Sequence, residues 1–376
     1  MKIWLHIVRF LRRFGKNEMV KNVNVMIYKR FLSLLILMCV TAALIAQVQM
    51  PNSGFENWPG EAISCPKGWH SFSDASGPFS KTMSNKGAPG NLPALERVPG
   101  HTGNYAVVIR CNKVLGVSAN GAITNGRLNM GSMSASSLKN HSYTDRANGY
   151  GFKFTGRPDS LSFWAKFETK DAVTASVKCH LHTDCNFRDP ADLGQTSNIA
   201  SAILYFKNTG NGKWRNYKQA FRAYDKVYTA TASFSPTPTV NTWTRTPSYL
   251  LINFSTNRYI MRGSKGDALY IDDVRLIYNK NLSSIQLDGV DYFAYQKGTN
   301  TYLCIMDESA NAPLPIVTAV AESPRAVVSV RQATPENPVA EIKVYHDDVF
   351  AGEAEPERYS IRFVPCTIPQ SMAIGK

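Results

Sequence analysis

Eleven short stretches of alternating or continuous apolar residues leave this chain little choice but β-structure. They fall at 105–110, 160–167, 172–181, 199–206, 249–254 and 268–278, and then at 302–306, 316–321, 326–331, 340–345 and 359–364. Turn-forming clusters such as 84–93 and 235–240 stand between them. No long segment repeats its apolar residues with the period of a helix. Side chains alternate across a strand, so strands of this kind bury one face and wet the other. Several of them divided by turn chemistry indicate a sandwich or barrel.

The chain has 376 residues, 44% of them apolar, which is enough to bury more than one core and excludes a disordered protein. Two modules are expected, with a boundary near residue 280. Residues 47–280 carry 27 basic and 15 acidic side chains, a balance of +12, whereas 281–376 carry 7 and 12, a balance of −5. Trp58, Trp69, Trp164, Trp214 and Trp243 all precede the boundary, and polar Asn279-Lys280-Asn281 marks it. The first module has the size of a jelly-roll sandwich, and the second that of a small immunoglobulin-like sandwich. The basic balance suits an anionic partner such as an acidic glycan. There is no Lys/Arg run of the kind that binds nucleic acid.

Residues 1–46 read as a targeting segment. Lys29-Arg30 is followed by the uncharged run from Phe31 to Ala46 and then Gln-Val-Gln, the three-part pattern of a secretory signal. The run has 16 residues, short of the ~20 that span a membrane. Met38 precedes Cys39 where a lipid-modified cysteine would follow a small residue. A secreted, periplasmic or cell-surface location follows. Six cysteines then remain, and their division by module suggests Cys304 with Cys366, Cys179 with Cys185 and Cys65 with Cys111.

Asn52-Ser-Gly-Phe55-Glu56-Asn-Trp58, then Pro66-Lys-Gly68-Trp69, and the closing Leu269-Tyr-Ile-Asp272-Asp273-Val-Arg-Leu276 resemble the jelly-roll carbohydrate-binding modules of bacterial glycan-degrading systems. With Gly151-Phe-Lys-Phe154, Arg157-Pro158 and Phe163-Trp164, the stretch from 51 to 278 is similar to the carbohydrate metabolism domain (PCMD) family of secreted Bacteroidetes proteins. The resemblance implies carbohydrate binding and a structural Ca²⁺ held by Glu56 with Asp272 or Asp273, oxygen ligands from distant strands of the kind a hard cation takes. No organic cofactor is expected.

Sugar rings stack on flat apolar faces with polar groups beside them. Trp214, Arg215, Tyr217, Tyr224, Trp243 and Arg245 combine these features in polar surroundings and are the glycan-binding candidates. Trp69 and Trp164 read as core. In Cys179-His180-Leu-His182-Thr-Asp184-Cys185, alternation puts His180, His182 and Asp184 on one face, a pattern open to zinc or a thiol nucleophile, although the cysteines read better as a disulfide. A glycoside hydrolase or lyase would need paired carboxylates, for which Asp74, Glu96, Asp145, Glu168, Asp171 and Asp225 are available without a local signature.

The second module, from Leu287-Asp-Gly289 through Val328-Ser-Val330 to Tyr359-Ser-Ile361, resembles the cadherin-like or immunoglobulin-like domains appended to bacterial glycan-active proteins. A spacer, or a docking module toward a cell-envelope partner, is implied. The expected whole is a secreted or cell-surface, non-catalytic carbohydrate-binding protein. A hydrolase or lyase acting through carboxylates or the His180/His182 face, and an envelope structural or adhesion protein, are the alternatives.

Overall fold

The structure, a computed structural model, describes residues 48–60, 64–83, 92–190, 196–207, 210, 212–223, 245–306 and 313–365. In chain order its strands up to residue 280 are β1 (Leu95–Pro99), β2 (Tyr105–Arg110), β3 (Asn112–Val114), β4 (Val117–Ala119), β5 (Ala122–Thr124), β6 (Arg127–Met130), β7 (Asn140–Tyr143), β8 (Phe152–Lys153), β9 (Ser160–Glu168), β10 (Ala175–His182), β11 (Arg188–Asp189), β12 (Asn198–Phe206), β13 (Arg215–Ala220), β14 (Arg222–Ala223), β15 (Tyr249–Ser255) and β16 (Ala268–Ile277). Then come β17 (Leu282–Leu287), β18 (Val290–Asp291), β19 (Thr301–Met306), β20 (Val317–Ala321), β21 (Val327–Arg331), β22 (Val339–Tyr345) and β23 (Glu357–Pro365).

Alternation builds the first sandwich. On β9, Leu161, Phe163, Ala165 and Phe167 are buried while Ser162, Trp164, Lys166 and Glu168 lie on the other face. The sheet β1-β2-β16-β9-β13 turns those buried residues toward the sheet β14-β12-β10-β15-β5, whose inward side chains include Val177, Cys179, Leu181, Leu250, Ile252 and Phe254. Phe55 and Trp69, from the segment preceding β1, are fully buried in the same core. A third sheet, β11-β7-β6, completes the module. Beyond β16, the sheets β18-β17-β20 and β19-β23-β22-β21 enclose a second core around Ile285, Tyr302, Ile342 and Ile361. The fold is a jelly-roll β-sandwich followed by a small immunoglobulin-like β-sandwich.

Three local expectations are corrected. Trp164 is not core: its even parity on β9 turns it outward, although its neighbours are apolar. The described cysteines are all thiols, so the Cys65–Cys111 and Cys179–Cys185 bridges are not formed. Cys65 lies 3.4 Å from the hydroxyls of Ser71 and Ser73, and Cys111 is packed against Gly263. Cys179 points into the core, whereas Cys185 lies beyond the end of β10 at His182, where strand alternation no longer applies. Cys366 lies outside the described residues, as do Tyr224, Asp225 and Trp243. The end of β10 at His182 likewise separates Asp184 from the two histidines: it is exposed and paired with Arg146 at 2.6 Å. No three His, Cys, Asp or Glu side chains stand together as a metal set among the described residues.

The two sandwiches meet through a network of polar groups, with Ala351 of the second packed against the first core. Asp159, just before β9, accepts hydrogen bonds from the main chain of Asn279 (2.7 Å) and the hydroxyl of Ser323 (2.7 Å), and pairs with Arg325 (2.5 Å) and His346 (3.1 Å). His346 Nδ1 accepts the main-chain N–H of Asp347, so Nε2 carries the proton turned toward Asp159. Arg157 grips Asp347 with a bidentate fork (3.1 and 2.9 Å), and Lys280 reaches Asp348 at 2.5 Å. Burial alone would raise the Asp159 carboxyl. The hydrogen bonds from His346, Asn279 and Ser323, with the charge of Arg325, hold it below the ordinary carboxylate range. Asp159→Asn would leave Arg325, only 8% exposed, without its counter-charge. The expected cost is about 3–5 kcal/mol in urea unfolding at neutral pH. A change under about 1 kcal/mol would show that the junction is held by something else.

Candidate functional site

The outward side chains of β10 and β15 are small or polar where they pair. Ser176 stands opposite Ser255, and Lys178 opposite Asn253. These four form the floor of a cleft of about 570 Å³. Its walls come from β6, β7 and β11 on one side, through Met130, Ser142 and Asp189, and from the β3–β4 hairpin and the 257–261 segment on the other. Lys178 Nζ lies 3.2 and 3.1 Å from the two oxygens of Asp189. Burial opposes the ionised form of Asp189, but the charge of Lys178 and the hydrogen bonds it donates keep that carboxyl below its usual range. Arg258 lies over the rings of Tyr205 (4.1 Å) and Tyr259 (4.6 Å), which fixes a cation beside the opening. Nothing in the sequence patterning pointed to this cleft. The one available signal was that outward positions on two strands read Ser-x-Lys and Asn-x-Ser.

The expected glycan-binding residues among those described do not form one site. Trp214 sits just before β13, on the outer face of the opposite sheet. There it lies 5.8 Å from His101 and 6.4 Å from Tyr270, while His101 stacks on Trp164 at 3.8 Å. Lys166 lies 3.8 Å above the Tyr270 ring. Arg215 is exposed at the start of β13. Tyr217 turns inward from the same strand and packs on Phe163 and Phe206, so it serves the core. Arg245 donates to the main-chain carbonyls of Thr196 and Asn198 (3.3 and 2.8 Å), bracing the entry to β12.

The three expected calcium ligands converge on one loop, residues 100–105. Glu56 accepts the main-chain N–H groups of Asn104 (3.0 Å) and Tyr105 (3.2 Å). Asp272 accepts those of His101 (2.7 Å) and Thr102 (3.3 Å), and Asp273 accepts the Thr102 hydroxyl at 2.8 Å. Burial pushes the Asp272 carboxyl up to about 6. A side chain at Gly100 would meet Thr102 O, Tyr105 O (3.0 Å) and Asp272 Oδ2 (3.2 Å), so the tight path of this loop requires glycine there. Carboxylate oxygens are the donors a hard cation takes, and here they accept hydrogen bonds from the loop itself.

No protein-family model matches the chain, and no curated protein matches it. Among solved structures it is similar to a candidate glycoside hydrolase from Bacteroides thetaiotaomicron, at 14% identity over 60% of this chain and 70% of that one, with a TM-score of 0.43. It is also similar to TmCBM61 in complex with β-1,4-galactotriose (14% identity, 62% and 99% of the chains, TM-score 0.27). A third is the K1 cleaved adhesin domain of Lys-gingipain from Porphyromonas gingivalis (12% identity, 58% and 96%, TM-score 0.28).

His180 and His182 are buried on the outward face of β10 rather than offered to a ligand. His180 Nδ1 lies 2.7 Å from the Ser201 hydroxyl, and His182 is held between Thr144 (2.9 Å) and its own neighbour Thr183 (2.8 Å), stacked on Phe187 and Tyr249. Burial lowers His180 to about 4 and His182 to about 3. The unfolded chain titrates them near 6.5 and so binds more protons than the fold below that pH. Stability is therefore complete above about 6.5 and falls as the pH drops toward those lowered values. The urea midpoint should decline steadily from pH 7 to 4.5, and a His180→Gln, His182→Gln double variant should lose that part of the slope. A double variant with the wild-type slope would contradict neutral burial.

Proposed function

We propose that this chain is a carbohydrate-binding protein that holds its glycan in the cleft over β10 and β15 without cleaving it. The observation that carries the reading is the composition of that cleft: a rigid floor of Ser176, Lys178, Asn253 and Ser255 between a polar wall that carries Ser142 and Asp189 and a wall that carries aliphatic Leu115, Val117, Ile260 and Met261. Such a surface matches hydroxyls with the floor and covers C–H faces with the aliphatic wall. The resemblance of residues 51–278 to the PCMD family points to the same class. Asp189 is the one carboxylate among the described lining residues, and Lys178 is bound to it. Cleavage of a glycosidic bond uses two carboxyl groups ~5 to 10 Å apart. The other described acids considered bond elsewhere: Asp74 to His70, Glu96 to Arg110, Asp145 to Arg127, Glu168 to Lys166 and Asp171 to Ser264. The proposal includes export through the signal in residues 1–46, acidic glycans among the ligands in view of the basic first module, and the second sandwich as spacer or envelope contact.

A second reading places the glycan on the opposite face, where Trp214 joins Trp164, His101 and Tyr270. Affinity electrophoresis against neutral and acidic polysaccharides separates the two. Arg258→Ala and Asn253→Ala should each weaken retention about tenfold, the loss of one or two polar contacts. Trp214→Ala should leave it unchanged, and no reducing ends or unsaturated products should appear. The opposite pattern would move the site to the aromatic face, and released products would make the protein an enzyme.

A Ca²⁺ in the 100–105 loop, held by Glu56, Asp272 or Asp273 with main-chain carbonyls, also belongs to the proposal. Bound there it would tie the start of the sandwich to its closing strand. Millimolar calcium should raise Tm relative to chelator, and Glu56→Gln should shrink the difference. An identical Tm with calcium and with chelator would rule the site out.

A further inference from the structure

Five of the seven exposed large aliphatic side chains among the described residues of the first sandwich gather at the mouth of the cleft, Leu92 and Leu138 being the others. Leu115 (73% exposed) and Val117 (46%) lie on the β3–β4 hairpin, Met133 (54%) follows β6, and Ile260 (51%) and Met261 (49%) follow β15; all five line the opening. Three separate chain segments supply them, so the cluster is not the trace of one apolar run. Single exposed apolar residues are ordinary, whereas a contiguous patch marks an interaction surface. Met261 is held there at φ +61°, a backbone conformation unfavourable for its side chain.

The character of the patch narrows its occupant. None of the five side chains is a ring, and flat rings are what sugar faces stack on. Branched aliphatics and flexible methionines instead conform to an irregular hydrocarbon chain. The rim is continuous with the polar floor of Ser176, Lys178, Asn253 and Ser255, so one ligand reaching both must be polar at one end and aliphatic at the other.

We infer that the ligand of this cleft is an amphiphilic glycan, a sugar bearing an acyl or alkyl chain, with the sugar on the β10–β15 floor and the chain against Leu115, Val117, Met133, Ile260 and Met261. The inference rests on the reading of the cleft as the glycan site. Its test is calorimetric titration of the full chain with methyl and octyl β-glycosides of glucose, galactose and mannose, each octyl compound kept below its micelle-forming concentration. At least one octyl glycoside should bind tenfold or more tightly than its methyl partner. Methyl-labelled Met133 and Met261 should then shift in NMR spectra. A Leu115→Ser, Ile260→Ser double variant, altered only at exposed positions, should lose the gain while keeping the affinity for the methyl glycoside. Equal affinities within every pair, or a gain that survives the double variant, would overturn the inference. So would 1-octanol binding as tightly as the octyl glycosides, because the sugar would then contribute nothing. Polysaccharide retention that depends on Arg258 and Asn253, without any octyl gain, would overturn this inference alone. Loss of both would remove the glycan site with it.

Discussion

Burial of the inward faces of β9 and β16 against those of β10 and β15 is the constraint from which the rest of the first sandwich follows. Each large apolar side chain moved out of water there contributes roughly 1.5–3 kcal/mol. A register slip of one residue would exchange every buried side chain for an exposed one. Once Val177, Cys179, Leu250 and Ile252 are committed inward, Ser176, Lys178 and Asn253 have nowhere to point but outward. The cleft floor is therefore the reverse side of the core. It inherits the rigidity of that core, which lowers the ordering cost that binding a ligand would otherwise carry.

The strands were readable because period-two alternation is a local signal. The segment 105–110 coincides with β2, and 199–206, 249–254 and 340–345 differ from their strands by one residue at an end. What was not readable depends on partners distant in the chain. Arg215–Ala220 is a strand because it pairs with β9 along an edge, although Arg-Asn-Tyr-Lys-Gln-Ala carries no strand signature. The cleft walls on β7 and β11 are Asn-His-Ser-Tyr and Arg-Asp, segments too short and polar to announce themselves. Glu56, Asp272 and Asp273 were found as a group because ordered motifs at the two ends of the module carried them. The expected glycan residues scattered because aromatic and polar composition says nothing about which sheet a side chain faces. Trp164 shows the same limit from the other side: its neighbours are apolar, yet parity, not neighbourhood, decides exposure.

The two outer faces of the sandwich differ in kind. One bears rings and charges packed on each other, His101 on Trp164 and Lys166 over Tyr270, so its polar groups are already engaged. The other is hollow, with a polar floor and an apolar edge. This difference, more than the count of aromatic residues, is what the proposed binding role rests on. It also gives the buried His180–His182 pair a structural place, as supports beneath the β11 side of the hollow rather than as chemistry inside it.

The Asp159 junction has a mechanical consequence. Asp159 is bonded at once to Asn279 in the connecting segment and to Ser323, Arg325 and His346 in the second sandwich, while Arg157 and Lys280 clamp the helix that begins at Asp347. Tension applied between the two sandwiches is therefore borne by several charge-assisted bonds loaded together, not by a flexible tether that pays out. The pair behaves as a bracket. If the second sandwich is held, its hold sets the direction in which the first presents its hollow face, and a pull on a ligand bound there would be passed straight through the junction.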